Sequence, residues 1–267
     1  MLGKTEDAKK FNGLFDGIKQ AFNKTYVAAD GKIKGDTQTA YILAIAVDLV
    51  DGEKYKVAAK RLVELIEKRD WHLSTGFVGT KDLMLALAKI GRNDVAYRLL
   101  HNDTFPSWGF SIKHGATSIW ERWNGWTPEE GFGDPGMNSF AHYSFGAVYQ
   151  WMVENIGGIR ADDAAYKKII IKPQPGGKLT FAKTEYNSIR GKIAVRWKKG
   201  NGGLALDVTV PANTTATVYI PAASADAVKE SGRAINGTNG VKYVKTENGC
   251  PVFEIQSGAY QFVAKEK

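Results

Sequence analysis

The sequence predicts an array of α-helical hairpins, of the kind that builds a solenoid or toroid, followed by an antiparallel β-sandwich. Three observations carry this. Apolar residues recur with a 3.6-residue period up to about residue 155, the period changes to two beyond Arg160, and 267 residues are enough for two domains with buried interiors. The predicted boundaries are 1–160 for the helical domain and 161–267 for the sandwich.

Phe11, Leu14, Phe15, Ile18 and Phe22 follow i, i+3, i+4, i+7 and predict a first helix over 6–26. Asp36 is placed to cap a second helix with the stripe Ile42, Ile45, Ala46, Leu49, and a third runs from Glu53 to Lys68 after the Asp51-Gly52 turn. Shorter helices are expected over Lys81–Ile90 and Asp94–His101, separated by Gly91 as a C-cap. A long helix over Ser139–Asn155, ended by Gly157-Gly158, completes six. Helix pairs joined by alternating short and long connections fit a solenoid or toroid better than a four-helix bundle. Closing a toroid takes about twice as many helices, so the chain is expected to start inside that domain.

Beyond Arg160, eight strands are expected: Lys167–Lys172, Lys178–Tyr186, Lys192–Trp197, Leu204–Val210, Thr215–Ile220, Val241–Thr246, Val252–Ile255 and Ala259–Ala264. The net charge of +8 is uneven: residues 1–159 hold 19 basic against 19 acidic side chains, and the remainder holds 17 against 9. Many of the excess cations alternate with core residues, as Lys192, Arg196 and Lys198 do with Ile193, Val195 and Trp197. That pattern describes a solvated sheet face, with a surface attracting acidic polysaccharide as the alternative; interleaved aromatics are too few for a nucleic-acid platform.

No apolar run approaches the roughly 20 residues of a membrane span, and Met1–Lys10 is charged rather than signal-like, which leaves the compartment open. Cys250 is the only cysteine, which excludes an intrachain disulfide. His72 and His114 lack metal-ligand spacing and no phosphate-binding glycine loop precedes a helix, so neither a metal nor a nucleotide cofactor is expected.

The functional signal lies in residues 106–126, where Trp108, Trp120, Trp123 and Trp126, four of the seven tryptophans, are interleaved with glycines. Indole faces are large rigid platforms for the C–H faces of sugars. Packing in a core is the competing reading, because Trp120, Trp123 and Trp126 have helical spacing. Glu121 lies between two of these indoles, where desolvation raises a carboxyl pKa and Arg122 opposes it, a setting suited to a tuned acid or base. His142 follows a second glycine-rich loop, Gly131–Gly136, and is placed to donate to a sugar hydroxyl. Asp36 and Gln38, opening the second helix after a Gly-rich turn, complete the candidate set, with a plain N-cap as the other reading of Asp36.

Leu73-Ser-Thr-Gly-Phe-Val-Gly-Thr80, Pro106-Ser-Trp-Gly-Phe110, Gly115-Ala-Thr-Ser-Ile-Trp-Glu-Arg-Trp123 and Asn138-Ser-Phe-Ala-His-Tyr143 resemble the bacterial α-L-rhamnosidases of glycoside hydrolase family 78. Asp36-Thr-Gln-Thr-Ala-Tyr41 fits as well, and Ile169-Ile-Ile171-Lys-Pro173 resembles that family's C-terminal sandwich. The resemblance implies an (α/α)6 toroid, with Glu121 as the general base that activates water for inversion, His142 contacting rhamnose, and Trp108 and Trp123 as pocket walls. It implies a rhamnose-containing glycoside or polysaccharide as substrate. The family's general acid belongs to an earlier segment with no counterpart in this sequence, so the chain alone is expected to be inactive or nearly so. Uncovered faces of a partial toroid are expected to favour self-association. Two other readings are carried alongside: a carbohydrate-binding or assembly module without hydrolysis, and a toroid glycosidase for another sugar.

Overall fold

A computed structural model describes residues 2–200, 202–235 and 240–265, so Asn201 of the expected turn at 200–203 lies outside it. The chain divides into two compact units, 1–148 and 149–267.

The first unit holds α1 (Thr5–Tyr26), α2 (Gln38–Ala46), α3 (Gly52–Glu67), α4 (Phe77–Lys89), α5 (Asn93–Leu100) and α6 (Trp108–Lys113). A short hairpin, β1 (Trp126–Thr127) and β2 (Gly131–Phe132), follows. Helix α2 packs on both α3 and α4, and α4 on α5. Their apolar stripes converge on Tyr41, Ile42, Ile45, Leu62, Ile66, Leu83 and Leu87, all fully buried. No residue of α1 is buried, and its stripe is open to solvent, with Phe11 60% and Leu14 57% exposed.

Two elements differ from expectation. Helix α6 falls in a stretch expected to be loop; Ser107 caps it, its Oγ accepting from the Phe110 N–H at 3.0 Å. Gly109 is obligatory there, since a Cβ would lie 2.3 Å from the Asn102 carbonyl oxygen. The helix expected over Ser139–Asn155 begins only at Ser144, as a 3-10 turn to Ala147, then α7 (Val148–Trp151), then a π turn over Met152–Ile156. His142 therefore precedes the helical segment instead of lying within it. Gly158 ends it with φ +77°, where a Cβ would fall 2.1 Å from the Pro173 nitrogen.

The Asp36 cap is also corrected. Thr37 caps α2 through the Ala40 N–H, at 3.2 Å. Asp36, at φ +45°, turns its carboxylate to the Arg61 Nε at 2.9 Å and the Tyr41 hydroxyl at 2.8 Å. Hydrogen bonds from Arg61, then from Tyr41, hold Asp36 well below the usual carboxylate range. A depressed folded-state pKa adds stability at neutral pH that is lost as pH falls past the unfolded value of about 3.9 towards the folded one. An Asp36→Asn variant is thus expected to be less stable than wild type at pH 7, with the gap narrowing steadily towards pH 2; urea denaturation across that range reads it, and a gap independent of pH counts against the ion pair.

The second unit contributes β3 (Ile159–Ala161), β4 (Lys168–Ile171), β5 (Phe181–Ser188), β6 (Gly191–Gly200), β7 (Gly203–Val210), β8 (Thr215–Tyr219), β9 (Val228–Glu230), β10 (Arg233–Ala234), β11 (Val241–Glu247), β12 (Cys250–Ile255) and β13 (Gly258–Lys265). They form a six-stranded sheet, β10-β9-β13-β7-β6-β5, and a five-stranded sheet, β11-β12-β8-β4-β3. Every pair is antiparallel except β4 with β8, a parallel pair whose crossover runs through β5–β7 of the opposite sheet. Fully buried Trp197, Phe253 and Phe262 fill the core, the last two from opposite sheets with ring centroids 6.4 Å apart. The Trp197 indole N–H donates to the Ile156 carbonyl at 2.7 Å, satisfying the one polar atom that this burial desolvates.

Candidate active site

Two irregular segments, 118–121 and 139–142, are bonded to each other and fix the geometry. The Glu121 N–H donates to the Ser139 carbonyl at 2.8 Å, the Ser139 N–H donates to Glu121 Oε2 at 2.8 Å, and the His142 N–H donates to the Ile119 carbonyl at 2.9 Å. The Ser118 hydroxyl closes the ladder on the Phe140 carbonyl. Residues distant in sequence are thereby locked in register, with the Glu121 carboxylate held by a backbone donor on one oxygen.

Glu121 borders a cavity of about 520 Å³ whose walls include Arg69, Ser74, Thr75, Phe77, Phe105, Arg122, Trp123, Asn124 and Phe145. Trp123 is clamped on two sides: it stacks on Phe145 at 3.9 Å and 11°, and its indole N–H donates to the Thr75 carbonyl at 2.8 Å. Among the described residues, Glu121 supplies the only carboxylate lining this cavity, and it has no ion-pair partner there. Arg122 shares the cavity with it and does not cancel its charge by contact.

The other candidates are distributed differently. Trp108 and Trp120, expected in the same pocket, border a second cavity of about 290 Å³ on the far side of Trp123 and Phe145. Trp108 meets Trp123 edge-on at 5.3 Å and its N–H is committed to the Phe145 carbonyl at 2.9 Å, so it braces the wall from behind. Trp120 is nearly buried and meets Phe140 edge-on at 5.3 Å. The helical spacing of Trp120, Trp123 and Trp126 has no helix behind it, because α6 ends at Lys113 and β1 begins at Trp126. His142 packs against Phe77, a cavity wall, at 5.7 Å. Its Nδ1 accepts from the Ser144 N–H at 3.3 Å, which in the neutral ring leaves the proton on Nε2 as a donor.

Asp36 borders a separate concavity formed with Thr25–Val27 and Ile33–Gly35. Gln38, 1% exposed, is no sugar contact: its amide nitrogen donates to the carbonyls of Leu65 at 3.3 Å and His72 at 3.1 Å, and its Oε1 accepts from the Ser74 N–H at 2.7 Å. It thus pins the start of the Ser74–Phe77 wall. The reading from sequence missed Arg69, Ser74, Thr75 and Phe77 as wall residues; the signal available was the motif Leu73–Thr80, which carried no titratable group to attract attention.

Helical hairpins whose loops place Trp123 and the Glu121 carboxylate at one cavity, followed in sequence by a β-sandwich, define a protein of the helical-hairpin class. Residues 1–156 match the bacterial alpha-L-rhamnosidase six-hairpin glycosidase domain and residues 158–234 match the bacterial alpha-L-rhamnosidase C-terminal domain. The chain belongs to this bacterial α-L-rhamnosidase family. It is 49% identical over 261 residues to an α-L-rhamnosidase of Streptomyces avermitilis, covering 98% of this chain and 24% of that protein. A relative from Formosa agariphila is 40% identical over 267 residues, covering 99% and 29% respectively. The solved structure of the Streptomyces avermitilis α-L-rhamnosidase complexed with L-rhamnose superimposes with a TM-score of 0.90 at 47% identity, over 97% of this chain and 24% of that one. The chain thus spans about a quarter of the length of the relatives it matches.

Proposed function

We propose that this chain is the C-terminal part of an enzyme that hydrolyses terminal α-L-rhamnosides with inversion, Glu121 acting as the general base. The observation that carries the reading is the isolation of Glu121: one carboxylate at the edge of an aromatic cavity, oriented by the Ser139 N–H and free of any ion pair among the described residues. Such a group can take a proton from a water attacking the anomeric carbon. Trp123 offers the rigid apolar wall against which a deoxy sugar packs, and His142 Nε2–H is the donor proposed for a sugar hydroxyl.

Inversion needs a second carboxyl group about 6.5–9.5 Å from the base, to protonate the leaving oxygen while water fits between the two. No second carboxylate lines the cavity among the described residues. The acid is therefore assigned to a part of the enzyme outside this chain, and the chain by itself is inactive. Two measurements test this. The 267-residue chain, incubated with an aryl α-L-rhamnoside, should release no phenol above background. The complete enzyme should release β-L-rhamnose first, read by the anomeric proton signal before mutarotation. Enzyme-like turnover by the chain alone, or first release of the α-anomer, overturns the assignment.

A further inference from the structure

Six of the seventeen cations beyond residue 159 share the outer face of the six-stranded sheet. In the six-stranded sheet, Ile193, Val195 and Trp197 point into the core, so the alternate residues of β6 point outward. The register places Lys183 opposite Arg196, Phe181 opposite Lys198 and Asn187 opposite Lys192, all on that outer face, and Lys229 and Lys265 extend it across β9 and β13. All six cations are exposed.

Two carboxylates share this face, and neither neutralises it. Glu185 is held between Lys192 at 2.7 Å and Lys183 at 2.9 Å, one acid against two bases. Asp207, half-buried, stands opposite Arg196 without forming an ion pair with it. Arg196, Lys198, Lys229 and Lys265 have no ion-pair partner among the described residues. Like charges directly opposite one another on a sheet repel, and Lys183 faces Arg196 with only Glu185, which it shares with Lys192, and the half-buried Asp207 to offset them. An external anion would relieve the repulsion.

We propose that this face, along β5 and β6, binds an anionic polysaccharide of the polyuronate type. Lys192 to Lys198 span roughly 20 Å of strand, and neighbouring strands lie about 4.8 Å apart, so the cations form an extended track instead of a point site. A polymer carrying a carboxylate on each sugar can follow such a track. Phe181, 64% exposed at its end, presents the ring on which a pyranose C–H face packs. One ring is too few to stack successive bases, which sets this surface apart from a single-stranded nucleic-acid platform. The inference stands apart from the catalytic reading, because every residue it uses lies in the second unit.

Titration of the 267-residue chain with polygalacturonate, with neutral dextran and duplex DNA as comparators, tests it. Polygalacturonate is expected to bind and dextran not. Raising salt from 0.1 to 1 M, which shortens the screening length from about 10 to 3 Å, should abolish binding. Replacing Lys183, Arg196 and Lys198 together by glutamine should weaken it roughly 100-fold, on the scale found for basic residues at anionic surfaces. The equal charge change on α1, Lys9→Gln with Lys10→Gln and Lys24→Gln, should leave it unaltered. Phe181→Ala should weaken polygalacturonate binding and leave any binding of DNA unaffected. Failure to bind polygalacturonate, equal loss in both triple variants, or DNA binding as tight as polygalacturonate overturns the proposal.

Discussion

Glu121→Gln in the complete enzyme is expected to lower kcat on an aryl α-L-rhamnoside by about 10²–10⁴-fold, the usual worth of a positioned general base, with KM little changed. The substitution isolates the charge. Glutamine matches the volume of glutamate, and its Oε1 can accept the Ser139 N–H as the Glu121 carboxylate does at 2.8 Å, so the ladder between 118–121 and 139–142 survives. What disappears is the basic lone pair needed to take a proton from water in the transition state. A fall in kcat and in kcat/KM together identifies an interaction made only in the transition state; a rise in KM at constant kcat would mean that the residue merely binds sugar. Glu121→Ala is less informative, since it also leaves the Ser139 N–H unpaired and opens the cavity wall. Activity of the glutamine variant within a factor of about two of wild type would remove Glu121 from the chemistry.

The helices that were legible in sequence are those whose stripe is long and regular. Helices α1 to α5 fall within a few residues of their expected bounds, because each buries or presents one face and the 3.6 period records that face directly. The segment 139–143 fails for a physical reason. Its apolar spacing suits a helix, but the Ser139 carbonyl accepts from the Glu121 N–H and the Phe140 carbonyl from the Ser118 hydroxyl, so the acceptors a helix would use four residues on are occupied. A local pattern cannot register a competitor that lies twenty residues upstream. The same pairing holds Glu121 beside Ser139 and His142 beside Ile119, so the departure from helix fixes where both side chains are placed. Helix α6 was hidden for a different reason: six residues containing Trp108 and Gly109 have little intrinsic helix propensity, and only the Ser107 cap announced it.

The tryptophan cluster shows how far composition reaches. Density of indoles and glycines marked the loop that borders both cavities, but could not assign each ring to a side of the partition formed by Trp123 and Phe145. That assignment depends on where each N–H finds its acceptor, Thr75 for Trp123 and Phe145 for Trp108. Gln38 is the counterpart among polar residues. Its place beside Asp36 suggested a sugar contact, whereas three backbone groups from two separate segments consume its amide.

Replacing Gln38 by leucine is accordingly expected to cost stability without touching any ligand. Leucine is close in volume and fills the site, so the loss comes from the stranded carbonyls of Leu65 and His72 and the stranded N–H of Ser74. An unsatisfied buried backbone group costs about 1–3 kcal/mol, and with partial access of water to some of the three the total should be about 3 kcal/mol. Urea denaturation of the chain should show a lower midpoint at unchanged slope, as befits a native-state loss. A second effect follows from the wall: Ser74 and Thr75 lose their anchor, Thr75 holds the Trp123 indole N–H, and the fluorescence of that indole should shift towards the solvent-exposed range well below the unfolding transition. Gln38→Glu separates the two polarities of the amide. It keeps an acceptor for Ser74 but turns a carboxylate oxygen towards the carbonyls of Leu65 and His72, so its loss at neutral pH should be at least as large as leucine's and should shrink in acid, where the protonated carboxyl regains a donor. A leucine variant within about 0.5 kcal/mol of wild type, with unshifted fluorescence, would show that the 72–75 wall is held by the packing of Leu73 and the hydroxyl pair of Thr75 and Thr80 at 2.7 Å instead.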